Sequence, residues 1–264
     1  MARPVAHSYG KEAVSVYRTD GETLFACEVR LIAHGEAFLA AYTEADNSMI
    51  VATDSMKNFI QRSALDYEGA TLEGLLAEIG RRFLDRYDHV EWVDMHASEV
   101  PFTHRVGVVF QRAYGDRAVA DLALGRDGVR YRRSGLEGLH LIKLKGSAFA
   151  GFIRDEYTTL PESEDRPLFI HLDIHWRTAE DAGPFPVEAV RATLVEAFSA
   201  TYSASIQELL HAMGIGVLER FSEIEEVSLT GENRLWDTAA AGDGVTVYTD
   251  ARPPFGVVSL TLHR

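Results

Sequence analysis

The segment Lys11–Ala33, "KEAVSVYRTDGETLFACEVRLIA", decides the fold that we predict for this chain. Apolar and β-branched residues recur at roughly every second position in Lys11–Tyr17 and again in Leu24–Ala33, which is the spacing of half-buried β-strands. The residues "TDGE" between them, Thr19–Glu22, are typical of a tight hairpin turn. We therefore expect the chain to open on a pair of antiparallel strands.

The apolar spacing changes after this pair of strands. Apolar residues recur three and four positions apart in Asp54–Leu65 and in Leu72–Tyr87, as they do in amphipathic helices. Strand spacing returns in Val90–Met95 and Val106–Arg112. The first half of the chain thus predicts the element order ββααββ.

The second half of the chain repeats this order. We predict strands at His140–Leu144 and Leu168–Trp176, helices at about Pro186–Ser199 and Ser205–Glu219, and two further strands before the end of the chain. A length of 264 residues is enough for two modest domains. The prediction is an α+β protein with domains at residues 1–132 and 133–264, each an antiparallel sheet with two helices on one face.

Composition narrows the functional classes. The 40 acidic residues outnumber the 26 lysines and arginines, and a net charge of −14 disfavours binding to nucleic acid or to an anionic membrane. Cys27 is the only cysteine, so no intrachain disulfide is expected. The chain has no apolar run of about 18 residues, and its first residues lack the apolar core of a secretory signal. We expect a cytoplasmic protein that contacts neither nucleic acid nor membrane.

Three cap-type residues stand together at the predicted start of the first helix, in "VATDSMKN", Val51–Asn58. A side-chain oxygen of Thr53, Asp54 or Ser55 can accept a hydrogen bond from the first helical turn, but one such cap is enough. The remaining N–H groups, at the positive end of the helix, suit an anionic ligand. Helix capping and anion binding are both open interpretations at this point.

A second distinctive stretch is "SAFAGFIRDEYTTL", Ser147–Leu160, whose composition alone indicates a half-buried strand and a turn. From Phe149 to Leu160 it resembles the signature F-x-G-F-x-R-D-x-Y-T-T-L of the cofactor-free urate oxidases. The blocks "YGK", Tyr9–Lys11, and "ADNSMIVATDSMKN", Ala45–Asn58, also resemble this family. The resemblance therefore spans nearly the whole chain.

The resemblance implies a fold, a reaction and an assembly. The fold is two tandem T-fold (tunnelling fold) domains, which agrees with the ββααββ order read from the apolar spacing. The reaction oxidises urate with O2 and water to 5-hydroxyisourate and H2O2 in purine catabolism, with no metal or organic cofactor. The assembly is a homotetramer whose active sites lie at subunit interfaces.

The resemblance also implies a catalytic pair. Lys11 matches a lysine that acts as a general base together with the threonine that matches Thr53. A lysine needs desolvation or nearby cations to be neutral at pH 7, and a threonine hydroxyl can relay a proton. The backbone N–H groups of Thr53 and Asp54 are implied to contact one edge of urate, while Ser55 caps the helix.

The remaining implied site residues bind substrate. Arg166, which by itself resembles a surface ion-pair partner, is implied to grip one edge of the purine anion with its planar fork. Gln207 and the backbone of Ile206 are implied to contact the opposite edge, and Phe149 to stack on the ring. Asn233 is implied to hold water or O2 above the urate ring.

The chain departs from the family near its end, because Leu235 stands where many members carry a histidine two residues after the asparagine. A purine-binding protein without catalysis is therefore one alternative. Another T-fold enzyme acting on a purine or a pterin is a second.

One further cluster competes for a role. His171, Asp173 and His175 share one face of a predicted strand and could ligate a divalent metal. They are not part of the family signature, and we predict no metal site and no cofactor.

Overall fold

The computed structural model describes residues 6–179 and 186–264. Contacts within the chain divide these residues after Ser134 into two compact units. The boundary predicted between residues 132 and 133 lies inside strand β7, Gly128–Lys143.

The first unit is an antiparallel sheet with helices. Its elements are β1 (Tyr9–Asp20), β2 (Thr23–His34), a 3-10 turn (Glu36–Phe38), α1 (Leu39–Thr43), α2 (Thr53–Asp66), α3 (Leu72–Arg86), β3 (Trp92–Glu99), β4 (Phe102–Val106), β5 (Val109–Arg112), β6 (Arg117–Gly125) and the beginning of β7. Strands β1, β2, β3 and β6 pair in that order, each antiparallel to the next, and β7 is the neighbour of β6. Strands β4 and β5 form a separate hairpin.

The core of this unit lies between the sheet and its helices. Alternate residues of β2, from Cys27 to Ala33, are completely buried, and α2 and α3 bury Met56, Ile60 and Phe83 against the same cluster. Each large apolar side chain removed from water stabilises the fold by about 1.5–3 kcal/mol. Burial also raises the pKa of the Cys27 thiol to about 12, so this cysteine packs as a neutral apolar residue.

The second unit repeats this arrangement. After the rest of β7 come β8 (Leu168–Thr178), α4 (Val187–Ala200), α5 (Ile206–Arg220), β9 (Ile224–Asn233), β10 (Asp237–Gly242), β11 (Val245–Thr249) and β12 (Gly256–His263). Strand β8 pairs with β9 and β9 with β12, both antiparallel, and β7 is the neighbour of β8. Among the described helices, none has both the length and the apolar composition needed to cross a bilayer.

The predicted fold class and the order ββααββ are confirmed, but two strand predictions are wrong. Val106–Arg112 is not a strand of the main sheet, since Gly107 has a φ of +55° and the chain turns there from β4 into β5. The fourth strand of the sheet is β6, which we did not predict. Strand β7 is also much longer than the predicted His140–Leu144.

The two units share local details that residue identity did not reveal. Helices α3 and α5 both have 15 residues and a hydroxyl cap: Thr71 accepts from the N–H of Gly74 at 3.2 Å, and Ser205 from that of Glu208 at 3.1 Å. A hairpin is inserted between β3 and β6 in the first unit and between β9 and β12 in the second. The two units are therefore versions of one structural plan.

An arginine directly after β6 in the first unit binds the end of α3, and one directly after β12 in the second unit binds the end of α5. Arg126 donates to the carbonyls of Leu84, Tyr87 and Val90 at 2.9–3.1 Å. Arg264 donates in the same way to the carbonyls of Leu218, Phe221 and Ile224. The carbonyls of Leu84 and Leu218 lie in the last turn of a helix, where C=O groups have no partner inside the helix.

Replacing Arg126 by methionine is expected to lower the free energy of unfolding by about 1–2 kcal/mol, because charge-assisted hydrogen bonds to three carbonyls are lost. Chemical denaturation at constant protein concentration measures this loss. Arg62→Met, at an exposed arginine of α2, is the control and should change stability by less than about 0.5 kcal/mol. Equal losses in both variants would contradict the role given to Arg126.

Candidate active site

A pocket of about 280 Å³ in the second unit contains the five substrate-binding residues predicted for this unit. They are Phe149, Arg166, Ile206, Gln207 and Asn233. Ser147, Ala148, Leu160, Leu168, Leu235 and Gly256–Val258 complete the lining. Ligand pockets commonly measure roughly 300–1,000 Å³, so this one suits a small molecule.

The connection between β7 and β8, residues 144–167, forms one wall of the pocket. Phe149 and Ser163 exchange backbone hydrogen bonds of 2.8 and 3.0 Å, and the N–H of Arg166 donates to the carbonyl of Ser147 at 2.9 Å. These bonds hold Phe149 and Arg166 on the same side of the pocket. The guanidinium carbon of Arg166 is 5.9 Å from the centre of the Phe149 ring.

The acidic neighbours of Arg166 bind backbone amides. Asp165 accepts from the N–H of Gly146 at 2.7 Å, and Glu162 from that of Gly151 at 2.9 Å. Both glycines have positive φ, +81° and +73°, where a side chain would be strained. The carboxylates therefore stabilise two turns of the connection.

The acidic residues next to Arg166 in the sequence therefore do not neutralise its charge, which remains available to a ligand in the pocket. Its Nε is buried without a hydrogen-bond partner, and no carboxylate within the described residues forms an ion pair with it. Burial lowers the pKa of the guanidinium, which nevertheless stays charged. Interpreting Arg166 as a surface ion-pair partner is therefore wrong, and an anionic group is the partner that its charge favours.

Asn233 supplies a second buried polar atom without a partner. It is the last residue of β9, where the strand pairs with Ile170 of β8 and Gly256 of β12, and its Oδ1 makes no hydrogen bond in the described structure. Leu235 also lines the pocket, to which it contributes an apolar side chain.

The start of α5 forms another part of the wall. The cap of Ser205 is reciprocated by Glu208, which accepts from the N–H of Ala204 at 2.8 Å. Ile206 and Gln207 are the first two helical residues, where N–H groups have no partner inside the helix. A ligand at this end therefore meets backbone donors beside the carboxamide of Gln207.

The predicted residues of the first unit lie around the start of α2. Lys11 is half-buried on β1, directly before a bulge that shifts the register between Lys11 and Val14. Thr53 is the first residue of α2, and Asp54 accepts from Lys57 at 2.6 Å and from Asn58 at 3.2 Å. The hydrogen bond from Lys57, with a smaller contribution from the charge of Lys11, lowers the pKa of Asp54.

The prediction that Ser55 caps α2 is wrong. The N-cap residue is Ala52, and no side chain makes a capping hydrogen bond. Because the helix already begins at Thr53, Ser55 lies inside the first turn. Side chains therefore leave the first N–H groups of α2 to another acceptor.

The alternative metal cluster does not assemble on β8. His171 stacks on His140 at 3.5 Å, Asp173 accepts from the N–H of Gly138 at 2.8 Å, and His175 lies 3.5 Å from Glu137. Within residues 6–179 and 186–264, no three histidine, cysteine or acidic side chains lie close enough to hold a metal ion.

Sequence reasoning missed Leu168 and Gly256–Val258 as lining residues. They carry no reactive group, and the β12 residues reach the pocket through pairing with β9, so only the sheet register reveals them.

The fold and the pocket define an α+β protein with a small-molecule pocket that contains a buried arginine nitrogen without a hydrogen-bond partner. The Uricase family profile matches residues 7–116 and 132–259. The chain therefore belongs to the Uricase family, and its fold is the T-fold of that family.

Relatives that are similar to this chain over most of its length are also uricases or proteins of uric acid degradation. The uricase of Halalkalicoccus jeotgali is 39% identical over 87% of this chain and 88% of its own length. The uric acid degradation bifunctional protein PucL of Bacillus subtilis is 36% identical over 97% of this chain, which spans 61% of that longer protein.

Solved structures agree as well. A uricase from Bacillus fastidious superposes with a TM-score of 0.90 at 37% identity, covering 97% of this chain and 93% of its own. The urate oxidase of Bacillus sp. TB-90 gives a TM-score of 0.90 at 34% identity, covering 98% of this chain and 100% of its own.

Proposed function

We propose that this chain is a urate oxidase, which converts urate, O2 and water to 5-hydroxyisourate and H2O2 in purine catabolism without a cofactor. The observation that carries the proposal is the pocket of a Uricase-family chain in which Arg166 Nε and Asn233 Oδ1 are buried without partners. A purine anion can accept a hydrogen bond from Arg166 Nε, and a water molecule can donate one to Asn233 Oδ1.

In this proposal the second unit binds urate. Arg166 donates to the paired acceptors on one edge of the ring, and Gln207 with the backbone of Ile206 binds the opposite edge. Phe149 stacks on the urate ring, and its own orientation is supported by Phe152, which stacks on it at 4.8 Å and 12°. Asn233 holds the water or O2 that reacts with the ring.

The first unit supplies the proton transfers. Lys11 acts as the base and Thr53 relays the proton, while the N–H groups of Thr53 and Asp54 bind the edge of urate. In the overall reaction urate loses two electrons and gains a hydroxyl group from water. O2 accepts those two electrons and two protons and leaves as H2O2.

We further propose a cytoplasmic homotetramer with domains 1–132 and 133–264 and with active sites at subunit interfaces. The binding pocket is built by the second unit, whereas Lys11, Thr53 and Asp54 belong to the first. A site shared by two chains supplies both sets of residues.

The decisive assay follows the ultraviolet absorbance of urate in the presence of EDTA. We expect urate to disappear with stoichiometric H2O2, and metal analysis to find less than about one tenth of an equivalent per chain, since the described residues contain no metal cluster. Binding of urate without H2O2 would favour the non-catalytic alternative. Activity that is lost with EDTA and restored by metal would contradict cofactor independence.

A further inference from the structure

The hydroxyl oxygen of Tyr9 joins β1 to the segment that leads into α2. It accepts the N–H of Val51 at 2.8 Å. Tyr9 precedes Lys11 by two positions on β1, and Val51 precedes Thr53 by two positions at the start of α2. One hydrogen bond within the first unit therefore connects the backbone segments that carry the proposed base and the proposed proton relay.

The Tyr9 end of this connection is held in place. The Tyr9 ring meets Phe38 edge-on at 4.9 Å and 88°, and Phe38 is completely buried. At Gly10 an added Cβ would lie 2.0 Å from the carbonyl oxygen of Leu31, so β1 lies unusually close to β2 at this residue. Tyr9 consequently has little freedom to follow Val51 if that segment moves.

The bond also suits a helix that begins without a cap. In α3 the Thr71 hydroxyl occupies the N–H of Gly74, whereas in α2 no side chain takes this role. Tyr9 instead binds the N–H of Val51, which lies before the helix and outside its first turn. The chain entering α2 is fixed while the N–H groups of Thr53 and Asp54 stay available to a ligand.

We propose that Tyr9 is a positioning residue that sets the separation between Lys11 and Thr53 through its hydrogen bond to Val51. This inference rests on the proposed urate oxidase reaction. Burial raises the pKa of Tyr9, so its oxygen remains an uncharged phenol at neutral pH.

The test compares Tyr9→Phe with Tyr67→Phe. Tyr67 is a matched control because its hydroxyl contacts the carbonyl and side chain of Thr71 at 3.1 and 3.2 Å, at the start of α3 in the same unit. Each variant keeps the ring and loses only a hydroxyl group. Tyr9→Phe should lower kcat about tenfold, because proton transfer depends steeply on distance. Its affinity for the inert purine 8-azaxanthine should change by less than about threefold.

Hydrogen exchange supplies an independent readout. Peptides covering Val51 should exchange faster in Tyr9→Phe than in the wild type, and those covering Thr71 only in Tyr67→Phe. An unchanged kcat in Tyr9→Phe, or an equal loss in Tyr67→Phe, overturns the inference while an active wild type leaves the proposed function standing. A wild-type protein that does not oxidise urate refutes the proposed function and this inference together.

Discussion

Arg166→Ala is expected to weaken binding of the inert purine 8-azaxanthine by about 2–4 kcal/mol, roughly 30- to 1,000-fold. The guanidinium is half-buried, its Nε has no partner in the described structure, and its acidic neighbours bind the amides of Gly146 and Gly151. Its favourable interaction is therefore expected to come from the ligand. Calorimetric titration of the purified variant measures the loss.

Two further variants sharpen this test. Arg166→Lys should recover little affinity, because lysine keeps the charge but lacks the planar fork. Arg154→Ala is the control, since Arg154 is an exposed arginine of the same connection that contacts Phe152 and does not line the pocket. Affinity in Arg166→Ala equal to that of Arg154→Ala would remove Arg166 from the binding site.

Mixing two inactive variants is expected to restore activity if the active site is shared between chains. Lys11→Met and Arg166→Ala are each expected to abolish turnover. When the two are unfolded, combined in equal amounts and refolded, half of the dimers in a random assembly contain both chains. One of the two sites in such a dimer receives an intact half from each chain, so activity should return to roughly a quarter of the wild-type value.

The matched control for this experiment combines two variants of the same half-site. Lys11→Met mixed with Thr53→Ala leaves every site with one defective half, so no activity should return. Subunit exchange is verified by mass spectrometry of differently tagged chains. Absence of recovery in the first mixture after verified exchange would show that each site is built within a single chain.

Much of the fold was predictable because its apolar spacing is regular. Helix α3 was predicted at Leu72–Tyr87 and is observed at Leu72–Arg86, where Leu75, Ile79 and Phe83 recur at helical spacing and are completely buried. The strand predicted at Val106–Arg112 has the same apolar character, yet Val106 is 71% exposed and Val108 67% exposed. Composition does not reveal which apolar strand will be buried in the main sheet and which will form an exposed hairpin.

The candidate site was predictable where residues carry a chemical group in a recognisable motif. Phe149, Arg166 and Asn233 were named from such motifs and line one pocket. The partners of neighbouring groups were not predictable, because the bonds of Asp165 to Gly146 and of Tyr9 to Val51 depend on chain segments brought together by folding. The prediction for Ser55 failed because α2 begins at Thr53, which places Ser55 inside the first turn of the helix and not at its cap.

The connection between the first two strands differs greatly in length between the two units. Strands β1 and β2 are joined by a tight turn at Gly21 and Glu22, whereas residues 144–167 separate β7 from β8 and carry Phe149 and Arg166. The longer loop brings its phenylalanine and arginine to the wall of a pocket that the first two helical residues of α5 also line. Evolution of ligand choice can then act on this loop while the helices and sheets conserve the architecture, which makes residues 144–167 a natural segment to exchange when engineering new specificity.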